Sequence, residues 1–283
     1  MEIRKVYVIG AGTMGSGIAQ VAAVAGYQTT IMDVVPEQLD KAKENIQRSI
    51  EKLVSKGQLS AEEAKHVDRI RYEKEMKSIG CADLVIEAVV EDPSVKQEVF
   101  RQADGLCPER TILASNTSSI SITKIASSTR RPHKVIGMHF MNPVPLMRLV
   151  EVVRGLSTSE ETTRTALEVC YRMGKEPIEV NDSPGFISNR ILCPMINEAI
   201  FAVQEGVGTP EAIDAVMKLG MNHPMGPLAL ADLIGLDVVL AVMETLHRDL
   251  GEDKYRPAYL LRKMVAAGHL GRKTGRGFYQ YVS

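Results

Sequence analysis

The amino-terminal segment constrains the fold most; residues 5–33 read KVYVIGAGTMGSGIAQVAAVAGYQTTIMD. We interpret it as an apolar strand at Val6–Ile9, a glycine-rich turn, an alanine-rich helix and a second strand that ends at Asp33. Two strands joined by a crossover helix run parallel, because a short hairpin can join only antiparallel strands. The segment therefore predicts that the chain begins as an α/β fold with a parallel sheet.

The turn in this segment has the spacing GxGxxG at Gly10, Gly12 and Gly15. Between a strand and a helix, this spacing is typical of dinucleotide binding. Gly10 permits the tight turn, Gly12 lets a pyrophosphate approach the backbone, and Gly15 permits close packing of helix and strand. The amides of Thr13 and Met14, at the start of the helix, would then face the phosphates. A purely structural turn is the alternative.

Asp33 follows at the end of the second strand, at the usual distance from the glycine turn. Its carboxylate can accept hydrogen bonds from both ribose hydroxyls of a dinucleotide, whereas it would repel a 2′-phosphate. We therefore predict NAD rather than NADP as the cofactor. The alternative is a solvated aspartate at a strand end.

Further strands and helices follow in alternation. A helix is predicted from Pro36 to about Lys56, and the capping-box pair Ser60 and Glu63 indicates a second helix, so that a helical hairpin is inserted between strands. Apolar strands are then predicted in ADLVIEAVV, TILASN and KVIGMHF, and shorter strands in MRLVEVVRG and EPIEVND around a helix at about residues 159–173. This alternation predicts a doubly wound, mainly parallel sheet.

The strand pattern disappears after the segment DSPGF. Helical patterns follow, for example ISNRILCPMINEAIFAVQEG and ADLIGLDVVLAVMETLHRDL, each interpreted as one helix. We therefore predict two domains, residues 1–184 with the α/β fold and residues 185–283 with only helices.

Composition excludes several classes of function. With 34 basic and 35 acidic residues, the chain has no overall field that would attract nucleic acid or an anionic membrane. We found neither a signal-peptide pattern nor an apolar run of the roughly 20 residues that a membrane helix needs. The four cysteines and six histidines show no metal-binding spacing. We therefore expect a cytoplasmic protein without a metal ion.

A titratable pair lies in GMHFMNPVPLMRLVE, residues 137–151. His139 and Glu151 are equally distant from Pro145, so an antiparallel turn about this proline would bring them opposite each other. Histidine can exchange a proton near neutral pH, and a carboxylate can orient its ring and stabilise the imidazolium. The pair therefore indicates a general acid and base; a hydrogen-bonded structural histidine is the alternative.

Several motifs occur in one order along the chain: the glycine turn, SNTSS, GMHFMNPVPLMRLVE, SPGFISNR, NHPMGPLALADLIGLD and GRKTGRGFYQY. With them the whole chain resembles the short-chain L-3-hydroxyacyl-CoA dehydrogenase family, in particular its bacterial branch that acts on 3-hydroxybutyryl-CoA. The resemblance implies a Rossmann-type domain and a helical domain that forms a homodimer or higher homo-oligomer. It also implies NAD-dependent interconversion of 3-hydroxyacyl-CoA and 3-ketoacyl-CoA.

The resemblance implies roles for individual residues. His139 would be the catalytic histidine with Glu151 as its partner, Ser118 would contact the substrate oxygen, and Asn189 would be the catalytic asparagine. Further contacts to cofactor or substrate would come from Ala88, Glu91, Lys96, Asn116 and Asn142. Ser118 as a helix cap and Asn189 as a polar residue of a first helical turn are the alternatives.

The phosphates of coenzyme A require a local basic site, because the chain has almost no net charge. Lys52 and Lys56 lie four residues apart on one face of the predicted helix, and the resemblance points to the same lysines. A plain solvated helix face is the alternative. For the GRKTGR segment near the carboxyl terminus we favour a structural or interface role over phosphate binding.

Two rival functions stay open. A dehydrogenase of the same fold, such as an L-gulonate-type enzyme, would keep the His139–Glu151 pair without needing a coenzyme A site. A non-catalytic NAD-binding protein would not need Ser118, His139, Glu151 and Asn189 together, and their joint presence argues against it.

Overall fold

The computed structural model describes residues 2–281, and the chain divides into two compact units between residues 183 and 184. The first unit is built on one sheet of eight strands. These strands are β1 (Lys5–Ile9), β2 (Gln28–Met32), β3 (Arg71–Glu73), β4 (Leu84–Glu87), β5 (Ile112–Ser115), β6 (Val135–Phe140), β7 (Leu149–Arg154) and β8 (Glu176–Asn181).

The strands are ordered β3-β2-β1-β4-β5-β6-β7-β8. All neighbours pair in parallel except β6 and β7, which are antiparallel. The first six positions have the order of a Rossmann fold, in which a ligand binds at the carboxyl ends of the strands where the order reverses, here between β1 and β4. The predicted glycine turn follows β1 and therefore lies at this point.

Helices of the first unit connect these strands. They are α1 (Thr13–Val24), α2 (Pro36–Ser55), α3 (Ala61–Ala64), α4 (Pro93–Leu106), α5 (Ile122–Ala126) and α6 (Glu160–Arg172). The central strands are buried on both faces; Val8, Ile31, Ile86 and Ile136 have no exposed surface. Such enclosure explains why their sequences are continuous apolar runs rather than alternating ones.

The inserted hairpin was predicted in outline. Helix α2 begins with Pro36 at its first position and buries Leu39, Ala42, Ile46 and Ile50. The Ser60–Glu63 capping box forms as expected, but the helix that it starts contains only four residues before it tightens into a 3-10 helix. The second arm of the hairpin is therefore shorter than the pattern indicated.

Strand β3 was missed in the sequence. It contains only three residues, Arg71–Glu73, and pairs with β2 alone at the edge of the sheet. Arg71 is exposed and the other two residues are half-buried, so the strand has no apolar run to reveal it. Edge strands are often short and charged, which disfavours pairing with other molecules.

The second unit is helical. It contains α7 (Ser188–Gln204), α8 (Pro210–Met221), α9 (Pro227–Ile234), α10 (Leu236–Leu250) and α11 (Tyr259–Ala266). The prediction of one helix over ADLIGLDVVLAVMETLHRDL was wrong, because Gly235 adopts a φ of +105° and separates α9 from α10. Its amide closes α9 by donating to the Ala231 carbonyl oxygen at 2.9 Å.

The carboxyl-terminal GRGFYQY segment is fastened within the second unit. Asp232 accepts hydrogen bonds from the backbone amides of Phe278 and Tyr279, each at 3.0 Å. The Tyr279 hydroxyl donates to Asp214 at 2.8 Å. A Cβ atom at Gly277 would lie 1.9 Å from Asp232, so this position requires glycine. These contacts lie just beyond the GRKTGR run, in which Lys273 pairs with Asp237 at 2.5 Å.

Candidate active site

The glycine turn after β1 is tightly packed at Gly10 and Gly15 but open at Gly12. A Cβ atom at Gly10, where φ is +101°, would lie 2.5 Å from the Ala88 carbonyl oxygen, and one at Gly15 would lie 1.8 Å from the Gly10 oxygen. A Cβ atom at Gly12 would meet nothing within 4 Å. Space therefore exists at Gly12 for a ligand to approach the backbone, while Gly10 and Gly15 make the turn itself possible.

Helix α1 begins at this turn without a capping side chain and without an acidic residue in its first turn. Its first amides and the positive end of its dipole are thus not neutralised by its own side chains. Thr13 is exposed and Met14 is half-buried. These features suit the phosphates of a dinucleotide.

Asp33 has a second role that we did not predict. Its Oδ2 accepts a hydrogen bond from the amide of Ala11 at 2.8 Å, and its Oδ1 accepts one from the amide of Val35 at 2.9 Å. The carboxylate therefore fixes the glycine turn. Each carboxylate oxygen can accept more than one hydrogen bond, so capacity for ribose hydroxyls is left.

His139 and Glu151 are direct partners across the antiparallel pair β6 and β7, which confirms the predicted register. The His139 Nδ1 lies 2.8 Å from Glu151 Oε2, and both residues are buried. Because a carboxylate can only accept, Nδ1 carries the proton of this hydrogen bond. In the neutral ring, Nε2 is then the nitrogen with a lone pair, as a general base requires.

Ser118 completes a row of three side chains. Its Oγ lies 3.1 Å from His139 Nε2, on the opposite side of the ring from Glu151. With Nδ1 protonated, the hydroxyl donates to Nε2. The arrangement can therefore pass a proton between the imidazole and an oxygen that contacts Ser118.

Glu91 and Lys96 lie behind Ser118. Glu91 Oε1 accepts a hydrogen bond from the Ser118 amide at 2.8 Å. The Lys96 ammonium lies 2.6 Å from Glu87 Oε1, 3.2 Å from Glu91 Oε2 and 3.4 Å from the Val89 carbonyl oxygen. Lys96 is 1% exposed, and its three protons have these three acceptors. Any effect of Lys96 on a bound ligand therefore passes through its neighbours.

Burial opposes the ionisation of Glu91, but the charge of Lys96 and hydrogen bonds from Thr117 and Ser118 outweigh it and hold the pKa of this carboxyl below its ordinary value. Glu91 is consequently ionised at neutral pH.

Two family models match the chain. The model of the 3-hydroxyacyl-CoA dehydrogenase NAD-binding domain matches residues 5–183, and the model of the carboxyl-terminal domain of the same family matches residues 185–281. The chain belongs to the 3-hydroxyacyl-CoA dehydrogenase family. This membership confirms the predicted family, the oxidoreductase class and NAD as the cofactor.

Individual relatives match the chain over nearly its whole length and theirs. The chain is 57% identical to a probable 3-hydroxybutyryl-CoA dehydrogenase of Bacillus subtilis, over 99% of this chain and 98% of the relative. It is 52% identical to the 3-hydroxybutyryl-CoA dehydrogenase of Clostridioides difficile, over 98% and 99%. The crystal structure of (S)-3-hydroxybutyryl-CoA dehydrogenase from Ralstonia eutropha matches this chain with a TM-score of 0.96 and 50% identity, over 100% of both chains. This match confirms the fold class.

Asn116 and Asn142 occupy different environments. Asn116 is buried at the end of β5, and its Oδ1 accepts a hydrogen bond from the Phe140 amide at 2.9 Å. This bond ties β5 to the residue after His139. Asn142 is exposed and precedes Pro143 in a cis peptide bond.

The remaining predicted residues lie on helices. Lys52 and Lys56 are exposed at the carboxyl end of α2, where cations also offset the negative end of a helix dipole. Asn189 is half-buried in the first turn of α7 in the second unit, and its backbone amide donates to the Gly185 carbonyl oxygen.

Sequence reasoning missed three buried polar residues: Glu87, Ser115 and Thr117. An acidic residue at the end of the apolar run LVIE was a signal for Glu87, because an isolated buried carboxylate is costly and implies a partner. The hydroxyl-rich SNTSS segment was a weaker signal, since such residues also cap helices.

Among residues 2–281, no group of three histidine, cysteine or acidic side chains is arranged to hold a metal ion. Within the same range, no helix is long and apolar enough to cross a membrane.

Proposed function

We propose that the chain interconverts (S)-3-hydroxyacyl-CoA and 3-ketoacyl-CoA with NAD, and that 3-hydroxybutyryl-CoA and acetoacetyl-CoA are its substrate pair. The observation that carries this proposal is the row Ser118, His139 and Glu151 at the carboxyl edge of the same sheet as the glycine turn. The names of relatives at 50–57% identity support the substrate.

His139 acts as the general base when the alcohol is oxidised. Its Nε2 takes the hydroxyl proton of the substrate, and the positive ring that forms is stabilised by Glu151 at Nδ1. NAD supplies the acceptor for the hydride that leaves the third carbon. In the reverse direction the imidazolium returns its proton to the ketone oxygen, so that one residue serves both directions.

Ser118 fixes the reacting oxygen beside the imidazole: when substrate binds, its hydroxyl donates to the substrate oxygen instead of Nε2, which leaves the Nε2 lone pair for the substrate proton. Asn189 donates its side-chain amide to the substrate as negative charge develops. Asn116 and Asn142 contribute to the surroundings of the nicotinamide and the substrate, and Ala88 lies against Gly10 beside the cofactor.

Lys52 and Lys56 bind the phosphates of coenzyme A. Their exposure on one helix, without an ion pair between either lysine and a described residue, supports this assignment. Contacts to this remote part of the substrate strengthen binding more than they speed the chemical step.

A homodimer or a higher homo-oligomer in the cytoplasm stays a prediction. Helix α8 supports an interface on the second unit, because Val216 is 61%, Leu219 87% and Met221 62% exposed. Apolar side chains exposed together on one helix are typical of a surface that another chain covers. Light scattering of the purified protein tests this assembly.

Oxidation of reduced NAD in the presence of acetoacetyl-CoA tests the proposed function. We expect oxidation of reduced NAD with acetoacetyl-CoA and longer 3-ketoacyl-CoAs, and no reduction of NAD in a separate assay with small sugar acids, which are alcohols. Activity with sugar acids alone would favour the L-gulonate-type reaction. Binding of NAD without turnover of any of these substrates would favour a non-catalytic role.

A further inference from the structure

A cluster of charged side chains behind Ser118 takes no part in the proton transfer proposed above. We call it the Glu87–Lys96–Glu91 cluster. Glu87 has no exposed surface and Lys96 is 1% exposed, and the ammonium lies 2.6 Å from Glu87 and 3.2 Å from Glu91. Buried charges persist only when their partners are held in good geometry. Lys96 therefore fixes both carboxylates relative to the end of β4.

The buried end of the cluster joins two strands. Glu87 accepts hydrogen bonds from the Val89 amide at 2.7 Å and from the Ser115 hydroxyl at 2.6 Å. Ser115 Oγ in turn accepts one from the Thr117 amide at 3.2 Å. Glu87 and Ser115 are register partners on β4 and β5, so the cluster is anchored in the sheet itself.

The other end of the cluster holds the turn that carries Ser118. Glu91 Oε1 accepts hydrogen bonds from the Thr117 hydroxyl at 2.5 Å, the Ser118 amide at 2.8 Å and the Ser119 amide at 3.1 Å. One carboxylate oxygen therefore accepts hydrogen bonds from three consecutive residues. The Ser118 hydroxyl projects from this turn to His139 Nε2 at 3.1 Å.

We propose that Glu91 is a positioning residue, which holds the 117–119 turn so that the Ser118 hydroxyl points at His139, with the Lys96–Glu87 pair as its anchor. The inference rests on the proposed dehydrogenase function. It gives Glu91 an effect on turnover through Ser118, separate from the cofactor contact that the family resemblance implies for Glu91. Hydrogen bonds to a charged acceptor are stronger than neutral ones, so the charge of Glu91 is the property that matters.

The variant Glu91→Gln tests this role, because it keeps the size of the side chain and removes its charge. We expect kcat for acetoacetyl-CoA reduction to fall by roughly tenfold or more, as for the loss of a charge-assisted hydrogen bond. Reduced NAD is kept at saturating concentration, so that a cofactor contact of Glu91, which the family resemblance implies, does not affect this comparison of kcat. An unchanged kcat under these conditions would overturn the proposal.

A double variant separates positioning from independent catalysis. If Glu91 acts through Ser118, then Glu91→Gln should lower kcat little further in a Ser118→Ala background. Losses that multiply would overturn the proposal.

Hydrogen exchange gives a readout that does not need turnover. The Ser118 and Ser119 amides should exchange faster in Glu91→Gln than in Glu98→Gln, a matched control on α4 whose exposed carboxylate pairs with Arg101. Unchanged exchange in Glu91→Gln would refute the positioning role, whether or not the chain reduces acetoacetyl-CoA. Failure of the unmodified chain to reduce acetoacetyl-CoA would count against the proposed function alone.

A second variant guards against misfolding of Glu91→Gln. Thr117→Val removes the hydroxyl that donates to Glu91 and accepts from the Ser119 and Ile120 amides, at a buried position with nearly the same side-chain volume. It should lower kcat less than Glu91→Gln does, leave the Kd of reduced NAD unchanged and speed exchange at the Ser118 amide, which donates to Glu91. Normal kcat together with normal exchange in Thr117→Val would contradict the proposal.

Discussion

His139 and Glu151, twelve residues apart in the chain, face each other across β6 and β7 with 2.8 Å between Nδ1 and Oε2. Both side chains are almost fully enclosed, so their hydrogen bond competes little with water. It fixes the ring orientation and directs Nε2 towards Ser118. In the proposed mechanism this pair provides both proton transfer and a stabilising negative charge.

Asp33 should set the preference for NAD over NADP. Asp33→Ala removes the repulsion of a 2′-phosphate, so the ratio of kcat/KM for the two cofactors should move towards NADP. Because Asp33 also binds the amides of Ala11 and Val35, both efficiencies will fall when the turn loosens. The ratio of the two kcat/KM values corrects for that shared loss. Equal use of NAD and NADP by the unmodified protein would refute the assignment.

Gly12 and Gly15 should respond differently to the same added methyl group. A Cβ atom at Gly15 would collide with the Gly10 carbonyl oxygen, so Gly15→Ala should lower the free energy of unfolding by at least about 1–3 kcal/mol. Gly12→Ala should fold normally, since its Cβ atom enters open space, but should bind reduced NAD more weakly. Thermal unfolding and fluorescence titration measure the two effects, and equal melting temperatures would contradict the packing argument.

Lys52 and Lys56 should matter for substrate binding rather than for the chemical step. Replacing both with alanine should raise KM for acetoacetyl-CoA several-fold and change kcat less. The rise in KM should be larger at low salt, because salt screens the attraction between lysine and phosphate. Lys41→Ala with Lys43→Ala is the control, because it removes two exposed charges from the same helix. Equal changes in the two double variants would indicate a general charge effect instead of a phosphate site.

Local patterns revealed much of the fold and part of the site. The glycine turn and Asp33 were recognisable because backbone geometry there demands particular residue types at fixed spacing. The His139–Glu151 register followed from symmetry about Pro145, which local chain geometry is enough to specify. Gly235 was overlooked as a break because an isolated glycine in an apolar helical pattern is often tolerated within a helix.

Long-range polar contacts were harder to infer. Glu91 and Ser118 are 27 positions apart in the chain, and nothing in either segment specifies that they meet. The Asp33 bond to Ala11 was missed for the same reason, since it depends on how two strand ends lie in the sheet. Tertiary hydrogen bonds of this kind become visible only when strand order and register are known.

The most direct test of the account is the kcat of acetoacetyl-CoA reduction for His139→Gln, Glu151→Gln and the double variant. His139→Gln should lower kcat by roughly 10²- to 10⁴-fold, the usual contribution of a general acid or base. If Glu151 acts only through the imidazole, the double variant should be little worse than the more damaged single variant. Losses that multiply, or near-normal turnover of His139→Gln, would contradict the central claim and make the pair structural.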